Sequence, residues 1–207
     1  MNANLDRRID LPLMESFFTI QGEGFYSGTP AYFLRIGGCD VGCYWCDVKD
    51  SWDPKIHPLV SVDEIVKRVC DENHRNTVVV TGGEPLMWDM STLTNLLHNK
   101  KYSIHLETSG SHKVTGDWDW ICLSPKKNEP PLKTIYSLVN ELKIIVRNAD
   151  DFRWAETHRK FVSEKCVLYL QPEWSVRDSI MPKIVDYVLK NNDWKISLQT
   201  HKYLNIP

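Results

Sequence analysis

The chain has 207 residues, of which 42% are hydrophobic and 25% charged, and its formal net charge at pH 7 is -2. That size suits one domain over 1–207 with its own core, and the near-balance of charge, without a basic block, argues against direct nucleic-acid binding. No apolar run approaches the roughly 20 residues needed to cross a bilayer, and the start MNANLDRRIDLPL lacks an apolar signal core, so a cytoplasmic protein with no membrane partner is expected.

The first predicted element is a strand, LMESFFTIQ at 13–21, followed by a glycine-rich turn at 22–28 and a second strand, AYFLRIGG, at 31–38. A helix is predicted over 61–73, where Ser61 followed three residues later by Glu64 forms a capping-box pattern. TVVVTGGEP at 77–85 reads as a short β-branched strand ending in a glycine turn, as suits a covered parallel sheet. The alternation continues with a helix near 90–100 and strands at 103–108 and 120–125. A helix at 132–139 precedes a strand at 141–146, and a helix near 150–161 precedes a strand at 166–172. A helix at 176–191 and a strand at 194–200 follow, with HKYLNIP as a tail. Strands alternating with helices imply βαβ units with right-handed crossovers. About six parallel strands are too few for an eight-stranded barrel, and both an open partial barrel and a doubly wound sheet fit.

Three of the six cysteines lie within CDVGCYWC, as Cys39, Cys43 and Cys46. This spacing brings three thiolates to one small volume. Three thiolates hold three irons of a [4Fe-4S] cube and leave the fourth open to a reacting ligand, whereas a structural zinc site closes with four ligands. His57 and Cys70 are the other residues weighed for such a site, and neither has a suitable spacing. Cys70, Cys122 and Cys166 stand apart in apolar stretches and read as buried free thiols. In parallel α/β folds functional residues gather at the C-terminal ends of strands. Those ends read IGGCD at 36–40, TGGEP at 81–85, ETSG at 107–110, SPKK at 124–127, QPEW at 171–174 and QTHK at 199–202, which predicts a single pocket.

The cysteine spacing, the aromatic residue before the last cysteine and the downstream GGEP resemble a radical S-adenosylmethionine enzyme. The ordered set FFTIQGEG, YFLRIGGC, CYWCD, TGGEP, ETSG, SPK, QP and HKYLNIP resembles the 7-carboxy-7-deazaguanine synthase family, over nearly the whole chain. The resemblance implies a partial, open TIM-like βα barrel. It implies that Cys39, Cys43 and Cys46 bind the cluster, and that the open iron takes the amino and carboxyl groups of S-adenosyl-L-methionine. Gly83, Glu84, Glu107, Ser124, Pro125, Lys126, Gln171, Pro172, Glu173 and Trp174 match cofactor-contacting positions. Glu84 is suited to accept from the cofactor's ammonium. Ile20, Gln21, Gly22, Glu23, Arg35, Thr81, His201 and the carboxylate of Pro207 match the shell around a pterin.

The implied reaction converts 6-carboxy-5,6,7,8-tetrahydropterin to 7-carboxy-7-deazaguanine with loss of ammonia, on the route to queuosine. The implied partners are a flavodoxin-like electron donor and a second copy of the chain in a homodimer. One position departs from the family: where its members read CDT, with the Thr hydroxyl on Mg2+, this chain has Val48 after Asp47. A hard cation needs oxygen, so Mg2+ would rely on substrate, water and Asp47, with weaker dependence expected. Two other readings share the cysteines. A glycyl-radical activase would not need IQGEG or the tail, and an electron carrier or zinc-stabilised binding module would complete its ligand set.

Overall fold

A computed structural model describes residues 9–72 and 76–207. The opening MNANLDRR and Asn73, the last residue of the first predicted helix, lie outside the described residues. Among the described residues nine strands form one sheet in the order β3-β1-β2-β4-β5-β6-β7-β8-β9. They are β1 (Asp10–Ile20), β2 (Pro30–Ile36), β3 (Leu59–Ser61), β4 (Thr77–Gly82), β5 (Ser103–Thr108), β6 (Trp120–Leu123), β7 (Glu141–Val146), β8 (Val167–Pro172) and β9 (Trp194–Ile196). From β2 to β9 neighbours run parallel, whereas β1 pairs antiparallel with β2 and with β3. The end strands β3 and β9 are not joined, so the barrel is open. Seven strands run parallel, against the expected six or so, and the strand predicted at 194–200 forms only over Trp194–Ile196, paired with β8 at three positions. The three-residue β3 has too short a pattern to show in the sequence.

Side-chain alternation explains how these strands make both a core and a cavity. Tyr32, Leu34 and Ile36 of β2, Val78 and Val80 of β4 and Ile104 of β5 pack outward. They meet Ile65 and Val69 of α1 (Val62–Glu72) and Leu93 and Leu97 of α2 (Ser91–Asn99). Leu142, Ile144 and Val146 of β7 and Leu168 and Leu170 of β8 pack with Ala155 of α3 (Asp150–Arg159) and Ile180 and Ile184 of α4 (Arg177–Lys190). Each such side chain contributes roughly 1.5–3 kcal/mol by leaving water. The intervening residues, among them Phe33, Arg35, Thr81, Glu107, Lys143, Ile145 and Gln171, face the cavity inside the curved sheet, as a period of two requires.

Helix α1 begins as its sequence predicts: the Glu64 amide donates to Ser61 Oγ at 3.3 Å. The reciprocal half of the capping box is absent, because the Glu64 carboxylate takes Arg68 Nε at 3.1 Å instead. The helix predicted at 132–139 is only a 3-10 turn, Lys133–Ser137. Adjacent Ile135 and Tyr136 enter the core there, not a helical stripe. The predicted tail instead folds as α5 (Thr200–Leu204). Cys122 and Cys166 are buried as expected, but Cys70 is exposed, because α1 turns Ile65, Val66 and Val69 to the core and leaves position 70 outside that stripe. No helix among the described residues is long and apolar enough to cross a membrane.

Two buried histidines are expected to make the fold acid-sensitive. His158 gives Nδ1 to the Tyr136 hydroxyl at 2.6 Å, while its Nε2 has no partner among the described residues. Burial lowers its pKa from 6.5 to about 4. Burial does the same to His105, also to about 4, against an opposing pull from Asp119. Between these values the unfolded chain binds protons that the folded chain refuses, so stability rises with pH. The contribution is complete above the unfolded pKa of about 6.5 and is lost as pH falls toward about 4. The urea midpoint is therefore expected to fall steadily through that window and to fall less steeply in His158→Gln. Equal slopes would show that His158 takes up its proton equally readily in the folded and unfolded chain.

Candidate active site

The cysteine loop follows β2 directly and is held from three directions. Gly83 N donates to Ile36 O at 3.0 Å and Glu84 N to Gly38 O at 2.8 Å, tying the loop to the end of β4. Trp88 Nε1 reaches Gly37 O at 2.9 Å, and Asn128 Nδ2 reaches Gly42 O at 2.7 Å. His112 Nε2 lies 3.0 Å from both oxygens of Asp40. Gly83 permits this approach, since a Cβ there would stand 2.3 Å from Gly38 O and 2.7 Å from Cys39 Cβ.

Cys39, Cys43 and Cys46 are free, half-buried and on the wall of one cavity of about 310 Å³. Burial pushes the Cys39 and Cys43 thiols up, with Lys126 opposing it at Cys43. The backbone of Val41 and Gly42 works against that burial at Cys39. Among the described residues no three His, Cys, Asp or Glu side chains converge on a single ion. A cube does not require that, since each cysteine binds a different iron. Three soft sulfur donors, free and on the wall of one cavity, fit an iron–sulfur cluster.

Glu84 differs from its expected role. It is buried, and four donors reach its carboxylate: Leu86 N at 3.1 Å and Thr108 Oγ1 at 2.6 Å on Oε1, then Ser109 N at 2.7 Å and Ser109 Oγ at 2.6 Å on Oε2. A carboxylate offers about four acceptor positions, so here they are filled. Glu84 clips the end of β4 to the end of β5 and does not present a vacant acceptor to an ammonium. Its neighbour Gly83 leaves backbone open to the same cavity. Lys126 Nζ donates to Ser124 O and Oγ, both at 2.6 Å, and sits 5.8 Å from the Trp45 ring centre. Burial lowers its pKa. Glu173 caps the next turn by accepting from Ser175 N and Oγ, and Gln171 accepts from Ser197 Oγ at 2.7 Å.

The cavity floor comes from the β1–β2 turn, not from a strand end. Phe25 stacks on Trp120 at 4.9 Å and Tyr26 on His105 at 4.4 Å. Gly24 N donates to Ser197 Oγ and Phe25 N to Glu141 Oε2. Thr200 N donates to Gly22 O at 2.9 Å, and a Cβ on Gly22 would meet His201 Nδ1 at 2.2 Å. The turn thus fills the space between the first and last strands and turns Gln21, Gly22 and Glu23 upward. Lys143 Nζ bridges Glu23 Oε2 at 2.6 Å and Glu107 Oε2 at 2.9 Å. Burial opposes the Glu23 charge, but Lys143, Gln199 and His201 hold its pKa at about 2.

Of the residues singled out from the sequence, all but Pro125 line this cavity; Pro125 borders a smaller hollow on the outer side of Cys43 and Trp45. Arg35 also lines it, with Nε committed to its cross-strand partner Glu15 at 2.5 Å. Glu107 joins the floor. Val48 brings no side-chain oxygen, and Asp47 is paired with Lys202 Nζ at 2.6 Å. Pro207 lies at the rim, where its carbonyl accepts from Thr19 Oγ1 at 3.5 Å.

A model of the Radical SAM superfamily matches residues 34–121, the stretch from the last residues of β2 into β6. A 7-carboxy-7-deazaguanine synthase of Flavobacterium psychrophilum is 55% identical over 95% of this chain and 93% of its own length. One of Synechocystis sp. is 45% identical over 96% and 94%. This chain belongs to the 7-carboxy-7-deazaguanine synthase family. The crystal structure of QueE from Escherichia coli superposes with a TM-score of 0.81 at 29% identity, covering 91% of this chain and 93% of that one. As a member of this family and of the radical S-adenosylmethionine superfamily the chain is an enzyme, and membership implies a [4Fe-4S] cluster and S-adenosylmethionine.

Lys143 is a cavity residue that the sequence analysis did not single out; Gln199 lay in the QTHK strand end without being singled out, and Ser197 supports the cavity from outside by holding Gly24 N and Gln171. The signal was present in ELKIIV, where Glu141 and Lys143 break an apolar run at every second position. Read as a uniformly apolar strand, the segment hides this alternation.

Proposed function

We propose that the whole chain acts as one domain that converts 6-carboxy-5,6,7,8-tetrahydropterin to 7-carboxy-7-deazaguanine and ammonia. The observation that carries this reading is that the three cysteines and the amide-and-carboxylate floor line one cavity, so a radical source and a flat heterocycle share it. A bound cluster and S-adenosylmethionine would supply the radical chemistry needed to open a C–H bond of the substrate. The residues of the chain bind, orient and exclude. Cys39, Cys43 and Cys46 hold the cluster, while the exposed backbone at Gly83 and the Ser124–Lys126 corner receive the cofactor. Gln171, Pro172 and Trp174 border its other side. Gln21 and Glu23 face the pterin's N–H edge from below, and Arg35, beside the same cavity, provides a cation for its carboxylate. His201 and Pro207 cover the mouth. A flavodoxin-like donor and a homodimer complete the reading, with the product serving deazapurine nucleosides such as queuosine.

The test is anaerobic reconstitution with iron and sulfide, followed by reductant, cofactor and 6-carboxytetrahydropterin. Deazaguanine formation is expected; cofactor cleavage without it would assign the chain to another radical reaction, such as glycyl-radical activation. Mg2+ is expected to raise turnover only weakly, because Val48 lacks an oxygen and Lys202 already neutralises Asp47. Val48→Thr is expected to restore a clear Mg2+ response, and strong dependence in the parent would refute this.

A further inference from the structure

We propose that Lys143 is a positioning residue for substrate recognition: its ammonium, held between Glu23 and Glu107, sets the two carboxylates as a fixed pair of acceptors for the N–H edge of a guanidine-like heterocycle. The inference rests on the substrate class proposed above and assigns the residue that organises its recognition.

Three observations carry it. First, the acceptor count on the floor differs from that at Glu84. Glu23 accepts from Gln199 Nε2 at 3.0 Å and from Lys143, and Glu107 from Gln21 Nε2 at 3.4 Å and from Lys143. Each oxygen therefore takes one donor, where a carboxylate oxygen has room for about two. Both residues line the cavity, so their remaining positions serve a ligand.

Second, the charge does not balance. One ammonium faces two carboxylates in a site where its own side chain is 4% exposed. A third carboxyl, Glu141, lies behind it on β7, and burial pushes its pKa up. The N–H donors of a neutral ligand edge stabilise that excess negative charge by hydrogen bonding, without adding to it. A carboxylate-bearing or phosphate-bearing edge would be repelled there.

Third, Lys143 connects elements that share no backbone pairing. It stands on β7, Glu107 on β5 and Glu23 on the β1–β2 turn. Without the ammonium, two carboxylates would lie side by side and share a proton, as like charges in one site do.

The groups facing Lys143 come from every surrounding element: Glu23 with His201 of α5 beside it, Glu107 from β5, Cys122 from β6, Glu141 from β7 and Lys126 after β6. The Cys122 thiol is pushed well above its usual value, first by burial, and stays neutral. Burial works against the Lys143 charge, and the acidic groups around it more than offset that, holding its pKa well above the usual lysine value.

The experiment measures the affinity of 6-carboxytetrahydropterin for the anaerobic holoenzyme by intrinsic tryptophan quenching across pH, for the parent and for Lys143→Met. Parent affinity is expected to be nearly flat between about pH 8 and pH 5, since Glu23 stays ionised throughout. In Lys143→Met it is expected to weaken by about 10–100-fold at neutral pH and to weaken further as pH falls, because one carboxyl of the pair now holds a proton. Iron content and S-adenosylmethionine affinity, read alongside, are expected to match the parent. An equal affinity with the same pH profile in Lys143→Met would overturn the inference, as would an affinity loss independent of pH. A parent that does not bind the pterin would instead overturn the proposed function. Should Lys143→Met fail to fold, Lys143→Arg provides the reading: its longer fork displaces the carboxylates, so about tenfold weaker binding with a flat pH profile is expected. Parental affinity in that variant would overturn the positioning role.

Discussion

Gly83→Ala is expected to abolish cluster assembly, although position 83 supplies no ligand. The added Cβ would stand 2.3 Å from Gly38 O and 2.7 Å from Cys39 Cβ. The first of these atoms is backbone, and its carbonyl already accepts from Glu84 N at 2.8 Å. Relief therefore requires the cysteine loop to move away from β4, with loss of the bonds that set where Cys39 points. A displacement of about 1 Å at a reacting centre costs on the order of 100-fold in rate, and groups that orient metal ligands carry about 10–100-fold in metal affinity. After anaerobic reconstitution, iron and sulfide content should fall to near background, with far-ultraviolet circular dichroism unchanged. Full iron loading with parental turnover would show that the loop yields without cost, against the close contact described.

Glu84→Gln is expected to act chiefly on stability. The carboxylate receives four donors, and a glutamine can accept on one oxygen only. Its amide NH2 would then face the Ser109 N–H, a buried donor left without an acceptor, while the Ser109 hydroxyl can turn to Ser111 Oγ at 3.0 Å. Losing hydrogen bonds to a buried charge and stranding a donor costs about 2–4 kcal/mol. For a chain of this size that corresponds to a melting temperature lower by roughly 5–15 °C. Differential scanning calorimetry of the metal-free protein checks this. A melting temperature equal to the parent's, combined with weakened S-adenosylmethionine binding, would return Glu84 to the cofactor-binding role that its motif suggested.

The two halves of the site differed in how openly the chain declared them. The cluster side was legible because its parts are local: Cys39, Cys43 and Cys46 fall within eight residues, and a spacing that short encodes the ligand set directly. The GGEP, ETSG and SPK motifs were also legible, since each ends an apolar strand with polar or glycine residues. The cavity takes Gly82, Gly83 and Glu84, Glu107 to Ser109, and Ser124 and Lys126 from these motifs, and leaves out Pro85, Gly110 and Pro125. The individual role of Glu84 was not legible, because its partners Thr108 and Ser109 are 24 and 25 residues away.

The floor was harder still. Lys143 meets Glu23 across 120 residues and Glu107 across 36. Nothing in the neighbourhood of any one of them names the others. Elements set by short-range patterning, such as the capped α1 and the β-branched β4, follow from residue order alone. The 3-10 turn at 133–137, the strand β3 and the helix α5 depend on what surrounds them.

Residue order by itself determined the alternating α/β plan, the three-thiol cluster loop and the family to which the chain belongs, since each is written in spacing over a few residues or in the succession of strand ends. Only the tertiary structure decided that Glu84 is saturated, that Glu23 and Glu107 are not, and that one buried ammonium joins the latter two. Hydrogen-bond saturation and charge balance are properties of a volume. The curvature of the sheet and the turn packed beneath it create that volume from segments that are distant along the chain.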